Sequence, residues 1–383
     1  MNKFVAALLR LLGGLIGVGV VVLPLAAAPR ATQEPIPYPV WTIEDVALSG
    51  YDNALAVDSA GRPHLLYVAP ANGALRYAVR QSDGWHYEDV ADESADLPLL
   101  AYDLAIRPDG AVCLVYATEL SIPSQPFDTK LVYGCRGAHG WELSTIDDGG
   151  RAPRLRFDDA GQPHIALIQD NIYVVYLTWA DGRWQKDTVY TDSAYLNVVF
   201  LLLDSAGHPS VVFRGADGQF HAQRSESGSW ASTPLTRLSI YTAALDANDA
   251  LWLAVNDGES LPGHDPFFLA RLKLVRPADS GPDDWELLDE GYDWQIAADM
   301  AFSDGIPYLA YIDPDGAAQV VWWDESGKHG DMAGAQGFSE LSLAMHDGQP
   351  RLAFADDNQL KLASRDIILL DKVLFAPVIV GAP

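Results

Sequence analysis

Seven copies of one pattern run through this chain, and the piece missing from the last copy stands ahead of the first. The first copy reads Leu55-Ala56-Val57-Asp58-Ser59-Ala60-Gly61-Arg62-Pro63-His64-Leu65-Leu66-Tyr67, followed by the apolar run Leu75-Arg76-Tyr77-Ala78-Val79 and by Trp85-His86-Tyr87-Glu88-Asp89-Val90. The last copy, from Leu341, has three such runs and no Trp-led fourth, whereas Val40-Trp41-Thr42-Ile43-Glu44-Asp45-Val46 precedes the first. Aligning the turn after each first run gives Gly61, Gly110, Gly161, Gly207, Asp249, Gly305 and Gly348, six steps of about 48 residues. Four short β-type runs per unit, punctuated by turn residues, make one four-stranded antiparallel blade. The chain is therefore expected to be all-β, a seven-bladed β-propeller whose last blade is closed by the N-terminal strand at about residues 40–46. An open ring would leave two unpaired sheet edges, and exposed edges template aggregation.

The second runs, Pro63–Val68, Val112–Ala117, Pro163–Ile168, Pro209–Phe213, Leu251–Val255, Pro307–Ile312 and Pro350–Ala355, are apolar on both faces. This suits strands covered on both sides by neighbouring blades. Prolines lead several of them, where a missing N–H is tolerated. Trp41, Trp85, Trp141, Trp184, Trp230 and Trp285 recur in the fourth run, while the sixth unit carries Trp322 and Trp323 one run early. A residue that recurs with the repeat reads as framework, packing each outer strand on its neighbour, ahead of a series of sugar-stacking platforms.

The units resemble repeats of secreted bacterial propeller proteins, of the form Leu-Ala-x-Asp-x-x-Gly-x-Pro-His-x-x-Tyr. The match lies at Leu55 to Asp58 with Gly61, Pro63, His64 and Tyr67, and again at Asp158, Gly161, Pro163 and His164, and it covers residues 39–365. The Asp-Gly-x-Trp turns are distantly similar to the Asp-box of sialidase-like propellers, without its Ser/Thr positions. The resemblance implies a fold and no particular activity.

Residues 1–31 read as a signal peptide, with Lys3 and Arg10 before an apolar run and Ala26-Ala27-Ala28 for cleavage; an uncleaved anchor is the alternative, and only then would the membrane be a partner. Residues 32–38 are expected to be a Pro-rich linker, 39–365 the propeller, and 366–383 a short apolar tail. The protein is expected to be secreted, extracellular or associated with the cell envelope. Twenty-five basic against 52 acidic side chains leave a formal charge of −27. That argues against nucleic acid, which needs a basic footprint, and against strongly anionic polysaccharides. Cys113 and Cys135 fall opposite each other in one hairpin of the second unit, and export favours a disulfide between them.

Nucleophile-elbow, Walker and zinc-protease patterns do not occur in the sequence. His64 and His164 share a repeat position that other units fill with Cys113, Ser210, Trp252, Tyr308 and Arg351, so packing is favoured over a metal site. Acidic turns such as Asp313-Pro314-Asp315-Gly316 and Asp356-Asp357-Asn358 leave calcium as the one conceivable cofactor, though they fall short of a calcium loop. Candidate ligand-binding residues lie where one unit passes to the next: Tyr51, Asp52, Tyr102, Asp103, Tyr195, Tyr241, Tyr292, Asp293 and Trp294, with Phe338 in the seventh unit. Around a ring they would rim the channel with stacking surfaces and acceptors, unless they merely cap the blade tops. The expected function is that of a monomeric, non-catalytic module recognising a neutral glycan or a protein at the cell surface through its loop-rich face. The alternative is a glycoside hydrolase or lyase using acidic residues at the channel rim, which predicts carboxylates converging in one place with at least one raised pKa.

Overall fold

A computed structural model describes residues 36–48, 53–70, 73–91, 99–119, 130–193, 196, 199–260, 270–277, 285–294, 298–313, 315–334, 341–356 and 359–370. Residues 39–367 make one compact unit. This unit is the propeller: seven four-stranded sheets, six of them built from consecutive antiparallel strands. In the seventh, Leu341–His346, Gln349–Asp356 and Gln359–Leu370 are completed by the N-terminal strand Ile36–Leu48. That strand begins inside the stretch expected to be linker, and its partner runs on to Leu370, inside the expected tail. The expected signal peptide, residues 1–31, lies outside the described residues.

The first strand of each blade is innermost: Asn53–Val57, Leu99–Ile106, Arg151–Phe157, Val199–Leu203, Ser239–Leu245, Ala298–Ser303 and Leu341–His346. Each inner strand packs beside the next, and the last packs beside the first, so the ring is closed. The seven turns that follow them share a device. All seven aligned turn positions have positive φ, including Asp249 at 62° where the other units have glycine. A preceding aspartate holds the turn from inside: Asp58 Oδ1 accepts from the backbone N–H of Ala60 and Arg62, and Asp204 and Asp246 repeat this with their own turns.

Successive side chains on an inner strand go to opposite faces, so one set packs on the preceding blade and the other on the following one. Leu55 joins Val46, Leu360 and Leu362 of blade seven, whereas Ala54 and Ala56 join Tyr102 and Leu104 of blade two. The core is thus a set of interblade seams, filled by second strands such as Pro163–Gln169, which is buried throughout.

The recurring tryptophans close those seams from outside. Trp141 meets Tyr77 of the preceding blade edge-on at 5.3 Å between ring centroids, Trp184 meets Tyr133 at 5.1 Å and Trp230 meets Tyr176 at 5.2 Å. In three seams an outer-strand carboxylate of the preceding blade takes the indole N–H together with an arginine, whereas the buried Trp141 Nε1 has no such acceptor. Glu44 accepts from Trp85 Nε1 at 3.0 Å and Arg80 Nε at 2.7 Å; Asp331 accepts from Trp41 Nε1 at 3.2 Å and Arg365 Nε at 3.0 Å. Asp187 does the same for Trp230 and Arg224. The indoles are committed to the framework. Blade six lacks the outer-strand tryptophan, and His329 stacks on Trp322 of its third strand instead.

His64 and His164 are buried at their strand starts. The Tyr77 hydroxyl bonds His64 Nδ1 at 2.5 Å while Nε2 faces Asp58 at 3.3 Å, and His164 pairs with the Tyr176 hydroxyl at 2.6 Å. Burial lowers the pKa of both below the usual histidine range, outweighing the nearby aspartates. His221, whose buried Nε2 has no hydrogen-bond partner, is pushed down by burial to about 4. A histidine whose folded pKa lies below its unfolded value stabilises the fold fully above the unfolded pKa of about 6.5 and loses that contribution as pH falls. For His221 the window runs from about 6.5 down to about 4. Urea unfolding across this window should show stability falling with pH, and His221→Phe should flatten the slope by up to about 1.4 kcal/mol per pH unit, the limit for one proton. Parallel curves for the two proteins would refute the assignment.

Candidate functional site

The inner strands carry a column of residues three positions before the partner of Pro63, Val112, Pro163, Pro209, Leu251, Pro307 or Pro350 on the second strand: Ala54, Asp103, Arg154, Phe200, Thr242, Asp299 and Ser342. Four of these tie neighbouring blades together at the inner edge. Asp103 Oδ2 accepts from the backbone N–H of Leu155 at 2.8 Å and from the Arg156 guanidinium at 3.0 Å, crossing from blade two to blade three. Asp299 Oδ2 accepts from the backbone N–H of Leu343 at 2.8 Å, crossing from blade six to seven, and Oδ1 accepts from Met300 N–H at 2.8 Å. Thr242 donates to Asp299 at 3.4 Å, and Ser342 donates to the carbonyl of Asn53 at 3.0 Å.

Arg154 and Arg156 differ from the other members. Both lie on the inner strand of blade three, two residues apart and so on one face. Arg156 is held by Asp103 and by the carbonyl of Leu155 at 2.7 Å, yet its side chain is 47% exposed. Arg154 is half-buried and makes no hydrogen bond or ion pair among the described residues. The charges of both reach Asp299 in blade six, which is across the ring and separated from blade three by two blades on one side and three on the other. Arg154 and Asp299 stand at the same level of the innermost strands, on opposite sides of the ring.

Burial is the largest influence on Asp299 and raises its pKa above the usual carboxylate range; the Leu343 and Met300 N–H bonds and then the charges of Arg156 and Arg154 act against it. One level along, five of seven inner strands carry alanine, Ala56, Ala105, Ala244, Ala301 and Ala344, all half-buried. Among the described residues no group of three His, Cys, Asp or Glu is placed to hold a metal. Asp313 is engaged by its own turn, accepting from the N–H of Asp315 and Ala317, and Asp356 pairs with Lys361 at 2.6 Å.

The expected rim residues scatter. Tyr51, Asp52, Tyr195 and Phe338 lie outside the described residues, as do Asp357 and Asn358. Tyr102 is 7% exposed and packs in the seam between blades one and two, while its neighbour Asp103 faces blade three. Tyr241 is half-buried against Ala254, Leu274 and Met300, with burial raising its hydroxyl pKa. Tyr292, Asp293 and Trp294 end the outer strand Trp285–Trp294 of blade five. Of the expected set, only Asp103 joins this inner-strand group. Arg154, Arg156, Thr242 and Asp299 were not among the expected residues. Their signal was available: Arg156 stands where other units have alanine or leucine, and Arg154 and Asp299 occupy the same column as Asp103.

No protein-family model and no curated protein matches the chain. Solved structures share its fold. Virginiamycin B lyase from Staphylococcus aureus superposes with a TM-score of 0.55 at 14% identity, covering 86% of this chain and 100% of that one. An ancestral GH74 enzyme gives 0.58 at 12% identity, over 86% of this chain and 49% of that one. A polysaccharide lyase, the ulvan lyase PL25 bound to a glucuronate–rhamnose 3-sulfate unit, gives 0.57 at 12% identity, over 83% and 94%. At these identities the likeness is one of fold.

Proposed function

We propose that this propeller acts on a carbohydrate chain at its axis, as a glycoside hydrolase or lyase, and does so as an exported protein. The observation that carries the reading is that two carboxylates, Asp103 and Asp299, share one column of the innermost strands with Arg154, that Arg156 binds Asp103, and that burial raises the Asp299 pKa. A carboxyl whose pKa is raised by desolvation is the kind of group that an acid-catalysed glycosidic cleavage draws on, and a guanidinium stabilises the negative charge that elimination develops. The polysaccharide lyase that shares the fold supports this choice of substrate class. The Cys113–Cys135 disulfide supports export, because such bonds persist in oxidising compartments.

A second reading, recognition without cleavage, draws on a different observation. Both carboxylates accept backbone N–H bonds that hold adjacent blades, which commits them to the ring and leaves the arginines as the contact groups. A panel of neutral and uronate-containing polysaccharides separates the two. Cleavage is expected to show as new reducing ends or as the ultraviolet absorbance of an unsaturated product. Asp299→Asn should then cost at least about 100-fold in rate while the protein keeps a cooperative melt. Binding to a glycan with no product from any member of the panel would overturn the enzymatic reading in favour of recognition.

A further inference from the structure

Arg154 is the residue that the framework leaves unexplained. Every other arginine discussed above has a carboxylate or carbonyl to bind: Arg156 has Asp103, Arg80 has Glu44, Arg224 has Asp187 and Arg365 has Asp331. Arg154 has none among the described residues, although it is half-buried on an innermost strand. A guanidinium taken part-way out of water without a hydrogen-bond partner is costly. Asp299, which its charge influences, lies in blade six and already accepts from Leu343, Met300 and Thr242.

Resting on the carbohydrate reading above, we propose that Arg154 is the anchor of a single-carboxylate site on the channel axis, and that the sugar chain held there carries an acidic unit. The planar guanidinium fork matches a carboxylate in two parallel N–H···O bonds. Arg156, partly exposed and two residues on, stands beside it. The long-range field points the same way about number: a protein of net charge −27 repels polyanions, and one unneutralised guanidinium balances one negative charge. A sugar acid with one carboxylate at the site fits both facts, whereas a phosphate dianion or a densely sulfated chain does not. A neutral glycan, the ligand class expected from net charge, would leave Arg154 uncompensated.

The test uses the full chain with arginine side chains labelled with nitrogen-15 at Nε, and galacturonate as probe at constant ionic strength. Galacturonate is expected to shift the Arg154 Nε–H signal saturably, its methyl ester should shift it at least about tenfold more weakly, and Arg154→Ala should delete the responding signal with an unchanged melt. Arg154→Lys, which keeps the charge and loses the fork, should bind galacturonate with reduced affinity. No saturable shift with galacturonate, or an equal shift with the ester, overturns the proposal. Inorganic phosphate or sulfate matching galacturonate overturns the assignment to a carboxylate. These outcomes are independent of cleavage: a carboxylate-responsive Arg154 in a protein that releases no product would sink the enzymatic reading alone.

Discussion

A protein lacking residues 38–47 should fail to fold into a stable ring. The deleted segment supplies the fourth strand of blade seven, so Gln359–Leu370 would become a bare edge. It also reaches both neighbours. Trp41 packs in the seam between blades six and seven and donates to Asp331; Val46 is buried; Glu44 binds Arg80 and Trp85 of blade one; and the Tyr87 hydroxyl donates to the Val46 carbonyl at 2.6 Å. Losing a packed tryptophan costs about 3–5 kcal/mol, a buried valine about 2 kcal/mol, and each ladder hydrogen bond about 1 kcal/mol. Together they come to about 10 kcal/mol, comparable with the whole stability of an ordinary domain, about 5–15 kcal/mol. Circular dichroism should show no cooperative melt, size exclusion should show aggregates, and a peptide of residues 36–48 added in trans should restore part of the transition. An unchanged melting temperature would mean that this strand does not close the ring.

The second large effect is expected at the disulfide. Cys113 and Cys135 face each other across the second and third strands of blade two and are bonded. The bond closes a loop with a sequence separation of 22, which limits the unfolded chain by about 3 kcal/mol. Cys113 is fully buried in the seam against Leu155 and Ile165 of blade three, so removing its sulfur also leaves a gap there. The double variant Cys113→Ala/Cys135→Ala should melt several degrees lower, with the same secondary structure by circular dichroism. Equal melting temperatures would show that the bond contributes nothing to the folded protein.

Much of this architecture was legible residue by residue. The turn column ending at Gly348 was readable because a tight turn with positive φ selects glycine, or an occasional Asp249, whatever surrounds it. Trp41 was readable as a displaced fourth strand because it repeats the pattern of Trp85. The pairing of Cys113 with Cys135 followed from hairpin register together with the expected export. The candidate site was much less legible. Tyr102-Asp103 looked like one binding element, yet alternation along a strand sends the two side chains into different seams. Net charge pointed to a neutral ligand, but it averages over the whole surface and says nothing of a guanidinium enclosed in the ring.

Repeat number, strand order within a blade and the closing strand were determined by the sequence itself, since each rests on local patterns: period-two segments, turn residues and a unit that lacks one piece. The placing of Arg154 and Arg156 across the ring from Asp299 was decided only in the tertiary structure. These residues belong to different blades and have no local relation. Which inner strands face each other across the ring follows from how many blades it holds and where it closes, and the burial that raises the Asp299 pKa exists only once blades five and seven pack beside blade six.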